Sequence, residues 1–245
     1  MKYNRISAYA ILLLVLCVLF IAFFCIVAFS SSYGYSSGSG SDVPAVTTSP
    51  STAKTTIIID AGHGGKDPGA IANNLIEKDI NLSVAQKLKS YLSLSGYNVI
   101  MTRNEDILLS SGQSNVNFKR DDLKQRLSII EQTENCIFVS IHMNKFGEST
   151  AKGLQTFYSS NNMESQKLAA VIQEQAKILE PDNKREIKPD NGNIYILEHS
   201  QKPSVLIECG FLSNSEDAAK LKTEKHRQEL AYVIYGGITK YLGGS

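Results

Sequence analysis

Tryptophan is missing from this 245-residue chain, histidine and cysteine occur four times each, and the charges nearly cancel at a net +1. Near neutrality removes the electrostatic footprint with which a protein holds nucleic acid, so no nucleic-acid partner is expected. Four cysteines cannot form a disulfide framework when Cys17 and Cys25 fall within an apolar N-terminal run, leaving Cys136 and Cys209. Those two stand at the start of one apolar run and the end of another. A parallel sheet keeps such positions at opposite edges, so two buried free thiols are expected. Internal repeats and a second module are also missing.

What the chain has at its start is an uncharged stretch from Ala8 to Phe29, preceded by Lys2 and Arg5. About 20 helical residues cross a hydrocarbon core. Residues 1–30 therefore form a transmembrane anchor or a signal segment, with Ala28-Phe29-Ser30 as a small-x-small cleavage site in the second case. The early cations put the N-terminus inside, so the remainder is exported. Residues 31–54 are rich in Ser, Gly and Thr and form a flexible linker. The folded domain spans 55–245.

Within that domain, strand-like runs recur at 55–60, 97–102, 135–142, 153–159 and 204–210. Helix-period segments lie between them. One places Ile80, Val84, Leu88 and Leu92 on one stripe with Gly96 as its stop, and another does the same with Leu123, Leu127 and Ile130. Two more begin near Met163 and Lys225. This alternation predicts an α/β fold: a three-layer domain with a largely parallel central sheet covered by helices on both faces. In such sheets chemistry gathers beyond the carboxyl ends of the strands.

Two of the four histidines fall there. His63 follows IIIDAG and His142 closes CIFVSI. Either alone is most simply a hydrogen-bonded rim residue, but two at equivalent sheet positions suit a metal, because imidazole is its commonest ligand. A carboxylate is the natural third ligand, and Glu77 opens the first helix 14 residues after His63. An acid in a first helical turn is also favoured by the helix dipole alone, and Asp79 is equally placed. Glu208 sits inside VLIECGF, where an ionised carboxylate needs a partner: a buried salt bridge, or a role as general base beside a metal water. His199 and His226, in EHSQK and EKHRQ, have polar neighbours and are expected on the surface. The glycine-rich loop after the first strand fits neither nucleotide pattern: Lys66 is followed by Asp67 rather than Ser or Thr, and Gly62-x-Gly64 runs into Asp67. Its glycines instead let backbone and substrate approach His63.

Taken in order, IIIDAGHGGKDPGA, IEKDINLSVAQKL, FVSIHMN and SVLIECGFLSN resemble the four blocks of the zinc-dependent N-acetylmuramoyl-L-alanine amidases, over about residues 56–242. The resemblance implies zinc on His63, Glu77 and His142, with Glu208 as catalytic acid/base. It also implies peptidoglycan as substrate, with cleavage of the amide between the muramic lactyl group and L-alanine. Asn144 would contact substrate, Asp60 would orient a ligand, and Tyr195 and Leu197 would line the cleft. The short build and the segment containing Lys119, Arg120, Asp122, Leu123 and Arg126 are similar to the sporulation enzymes of that family, which prepare spore cortex for germination. A vegetative autolysin would share every catalytic motif. Two histidines and a carboxylate also occur at non-haem iron, and a wall-binding module could keep the fold without turnover. Whether a protein partner activates the enzyme is not readable from the sequence.

Overall fold

The computed structural model describes residues 54–110, 117–147 and 150–243. The expected anchor or signal segment and most of the linker lie outside these residues. Among the described residues no helix is long and apolar enough to cross a membrane.

A six-stranded sheet forms the centre. In chain order its strands are β1 (Thr56–Ala61), β4 (Asn98–Met101), β5 (Cys136–Asn144), β6 (Gln155–Tyr158), β7 (Lys188–Pro189) and β8 (Ser204–Phe211). Their spatial order is β4-β1-β5-β8-β6-β7. The block β4-β1-β5-β8 is parallel throughout, whereas β6 runs antiparallel to β8 and carries β7 parallel to itself. The 153–159 run thus forms a strand but departs from the parallel direction. The connection 145–154 is shorter than the dozen or more residues that a parallel crossover needs. A two-stranded ribbon, β2 (Ile71–Ala72) with β3 (Leu75–Ile76), interrupts the loop after β1.

Among the described residues six helices complete the layers: α1 (Glu77–Leu94), α2 (Phe118–Glu131), α3 (Met163–Ala176), α4 (Tyr195–His199), α5 (Ser215–Leu221) and α6 (Glu224–Gly243). The expected stripe of α1 is buried in full at Ile80, Val84, Leu88 and Leu92. It stops as expected, with Gly96 at φ 80° and Tyr97 N–H donating to Leu92 O at 3.1 Å.

The strands sort their residues by parity, because successive side chains point to opposite faces. Ile57, Ile59, Val139, Ile141, Val205 and Ile207 join the large core with α1, α3 and α6. The opposite face has a smaller core, Ile58, Cys136 and Phe138 against Leu127, Ile130 and Ile196 from α2 and α4. Towards the carboxyl ends this second face turns polar, through Asp60 on β1, Ser140 and His142 on β5, and Glu208 on β8. Cys136 and Cys209 are free and buried, as expected.

His199 is exposed, but His226 is not. It lies one turn before Leu230 on the buried face of α6, in line with Ile234 and Ile238. Its helical phase outweighs its polar neighbours, and burial lowers its pKa.

Candidate metal centre

The loop leaving β1 is folded back by the helix it leads into. α1 has no side-chain N-cap. Its first amides are satisfied instead by loop carbonyls, Glu77 N–H donating to Ala70 O at 3.0 Å and Lys78 N–H to Pro68 O at 3.2 Å. The closure carries the Glu77 side chain to the sheet edge, where Oε2 accepts from Ala70 N–H at 2.8 Å and Oε1 from Met143 N–H at 3.2 Å.

His63 Nε2 lies 3.2 Å from Glu77 Oε1, and His142 Nδ1 lies 2.9 Å from the same oxygen. One donor atom from each of His63, Glu77 and His142 falls within 4.8 Å of the others, making a group able to hold a metal ion. Burial raises the pKa of Glu77, but hydrogen bonds and charge from His142 and His63 outweigh it and hold the carboxyl well below the usual range. Burial lowers the pKa of His63, and the bonds to Asp67 and Glu77 more than reverse this, to about 9. Positive charge beside the Glu77 carboxylate is therefore favoured.

Two glycines make the convergence possible. A Cβ on Gly62 would sit 2.2 Å from His142 Nε2. Gly69 has φ 67°, and a Cβ there would meet Glu77 Oε2 at 2.5 Å and His63 Cδ2 at 2.6 Å. Close approach to both imidazoles is what the glycine-rich loop permits.

The group that orients His63 is Asp67, whose Oδ2 lies 2.7 Å from His63 Nδ1. Asp60, expected in this role, has its hydrogen-bond partners elsewhere. Its Oδ1 accepts from Thr102 at 2.7 Å and from Arg126 Nη1, and its Oδ2 accepts from Ser140 at 2.6 Å. Burial raises its pKa, while Arg126, Ser140 and Thr102 hold it at about 2. Asp60 points down the second face from one residue inside the strand, so the side chain meets α2 rather than the loop.

Arg126 links Asp60 to the loop that carries His63. It is fully buried, pairs with Asp60 and with Asp122 (2.7 Å), and donates from Nη2 to His63 O at 2.7 Å. Arg103, also fully buried, donates to the carbonyls of Ala61 at 2.8 Å and Gly62 at 3.0 Å. Together they clamp the backbone that presents His63, a residue with φ 61°. Sequence reasoning missed Asp67, Arg103 and Arg126 as supports.

Glu208 is the register partner of His142 across β5 and β8. Its Oε2 is sealed from solvent with no hydrogen-bond partner. Burial raises its pKa to about 7, with Glu77 adding to the rise and His142 and His63 opposing it. Asn144 lies half-buried at the end of β5, beyond a register shift that pairs it with Phe211. Tyr195 and Leu197 line a mostly apolar cavity of ≈ 250 Å³ beside His63 and His142.

A parallel-centred sheet brings together, at its carboxyl edge, a His-Glu-His group able to hold a metal ion and a carboxylate with one unpartnered oxygen, an arrangement suited to metal-assisted hydrolysis. The family model for N-acetylmuramoyl-L-alanine amidase matches residues 57–240, and the chain belongs to that family. It is a peptidoglycan amidase, splitting the N-acetylmuramoyl-L-alanine amide. It is 37% identical over 188 residues to the germination-specific N-acetylmuramoyl-L-alanine amidase of Bacillus subtilis strain 168, a match covering 76% of this chain and 79% of that protein. Among solved structures, the CwlD amidase of Clostridioides difficile in complex with the GerS lipoprotein is 42% identical with a TM-score of 0.75, over 78% of this chain and 100% of that one. The catalytic domain of CwlV from Bacillus (Paenibacillus) polymyxa var. colistinus is 32% identical with a TM-score of 0.67, over 78% and 99%.

Proposed function

We propose that His63, Glu77 and His142 hold a zinc ion and that Glu208 is the general base of amide hydrolysis. The observation carrying this reading is the unpartnered, sealed Glu208 Oε2, on the residue in register with His142. A buried carboxylate oxygen is costly without a partner, and a metal with its water beside His142 supplies one. The donor set fits: two imidazoles and one carboxylate are a common catalytic zinc combination. Zinc held there supplies Lewis acidity and lowers the pKa of a water to about 7.

The chain's own groups do the rest. Glu208 Oε2 accepts a proton from the attacking water and delivers it to the departing L-alanine nitrogen. The products are the muramic lactyl carboxylic acid and a free peptide amine. Asp67 keeps the His63 proton on Nδ1, leaving Nε2 to face the centre. Asn144, at the strand edge, contributes a substrate contact.

The physiological setting we infer is spore cortex, supported by the likeness to a germination-specific amidase, with residues 1–30 holding the enzyme on the outer side of a membrane. A relative stands in complex with a lipoprotein, which supports a protein partner for this chain as well. Hydrolysis of purified peptidoglycan with and without chelator tests the chemistry. Muropeptides from sporulating cells with and without the gene test the setting, loss of muramic lactam being the expected result.

A further inference from the structure

The cavity beside His63 and His142 has apolar lining residues, including Leu123, Tyr195, Ile196 and Leu197, two cationic ones, Arg126 and Lys119, and three carboxylates, Asp60, Asp67 and Asp122, each paired with one of those cations. Arg126 is fully buried and committed to Asp60, Asp122 and the His63 carbonyl. Lys119, at the start of α2, is different: its side chain is 62% exposed. Its Nζ lies 2.8 Å from Asp67 Oδ1, the carboxylate whose other oxygen holds His63. An ammonium has three donors and this contact uses one, so two remain for a further acceptor.

The two sides of the scissile amide differ in charge. The sugar side is a neutral N-acetylated ring. The peptide side continues from L-alanine into D-glutamate, joined through its side-chain carboxyl, so its α-carboxyl is either free or amidated. One residue of extended chain spans roughly 3.5 Å, which puts that α-carboxyl about 6–7 Å from the scissile nitrogen. Lys119 stands one carboxylate and two hydrogen bonds from the His63 ring, a comparable reach. The apolar wall suits the alanine methyl and the methylenes that follow.

We propose that Lys119 is a specificity-determining residue that binds the free α-carboxylate of the second stem residue, seating the peptide between α2 and α4. This rests on the metal-centre reading above. The neutral amide of an amidated stem lacks the charge that Lys119 pairs with, so the enzyme discriminates between the two wall chemistries. Charge-assisted hydrogen bonds are about twice as strong as neutral ones, and exposure at the cavity mouth moderates the gain.

The test uses the purified full chain and two glycan-peptide substrates that differ only in that α-carboxyl, free or amidated. Wild type is expected to favour the free acid by about tenfold in kcat/KM, mainly through KM. In Lys119→Met that ratio falls to about one, and Lys119→Arg restores most of it. A wild-type ratio near one, or a ratio unchanged in Lys119→Met, overturns the proposal. The second result is what a purely supporting role through Asp67 and His63 produces, because it slows both substrates equally. Cleavage of the amidated substrate by wild type reports on the amidase reading separately from this ratio.

Discussion

His142 and Glu208 face each other in register across β5 and β8, two parallel strands joined edge to edge. One side chain is held by Glu77 at 2.9 Å, while the other ends in a carboxylate oxygen with no partner. Equivalent positions on neighbouring strands put the two groups on one face of the sheet. The pairing places a candidate ligand beside a proton acceptor without any loop having to arrange it.

Replacing Glu208 by Gln keeps the shape and removes the proton acceptor. Turnover should fall by about a thousandfold or more, at the upper end of what general acid–base groups contribute, while zinc content measured by elemental analysis stays near wild type. Substantial activity in this variant would remove Glu208 from its role.

The same carboxyl makes metal-free stability depend on pH. Its folded pKa, about 7, lies above the ordinary 4.5, so the folded state is penalised once Glu208 ionises. The penalty is absent below about pH 4.5, grows between 4.5 and 7, and is complete above 7. Glu208→Gln should therefore stabilise the metal-free protein at pH 8, by about 3 kcal/mol, and hardly at pH 4.5. Denaturant melts at the two pH values check this; equal shifts at both would contradict the burial argument.

Asp67→Asn leaves a side chain of the same size on His63 but removes the charge. Metal affinity should drop about 10- to 100-fold, the usual cost of losing a carboxylate behind a ligating histidine. Competition with a chelator of known affinity measures it.

Gly62→Ala drives a methyl into the His142 ring, 2.2 Å from Nε2. The imidazole must move, because the neighbouring strand cannot. Overpacking of this kind costs about 1–3 kcal/mol, enough for a 10- to 100-fold loss in metal affinity with a smaller change in melting temperature. Arg126→Leu should behave in the opposite way. It strands Asp60 and Asp122 as buried carboxylates and lowers stability by about 3–5 kcal/mol, seen in denaturant unfolding.

Much of the site could be read from residue order because three apolar runs each hide an alternation. Within IIIDAG, CIFVSIH and SVLIECG, the odd-numbered positions feed the core and the even-numbered ones supply Asp60, Ser140, His142 and Glu208. Glu77 was weaker on position alone, since a helix start favours any acid. Its selection over Asp79 depends on how Ala70 and Pro68 carbonyls fold the loop back. Asp67, Arg103 and Arg126 were not legible as supports. What makes them supports is contact with the His63 ring and with the carbonyls of Ala61, Gly62 and His63, and the fold of the loop after β1 sets those contacts. His226 could have been found: four-residue steps join it to Leu230, Ile234 and Ile238. The reversed direction of β6 follows from a connection length that was also available in the chain.

Hydrolysis is proposed to depend on one zinc held by His63, Glu77 and His142. Titrating zinc into metal-stripped protein while following release of L-alanine-terminated peptides from peptidoglycan tests it most directly. Activity should be absent without metal and return with one equivalent of zinc, and His63→Ala and His142→Ala should neither bind that equivalent nor recover. Full hydrolysis by the metal-stripped protein, or one tightly bound equivalent in His142→Ala, would contradict it.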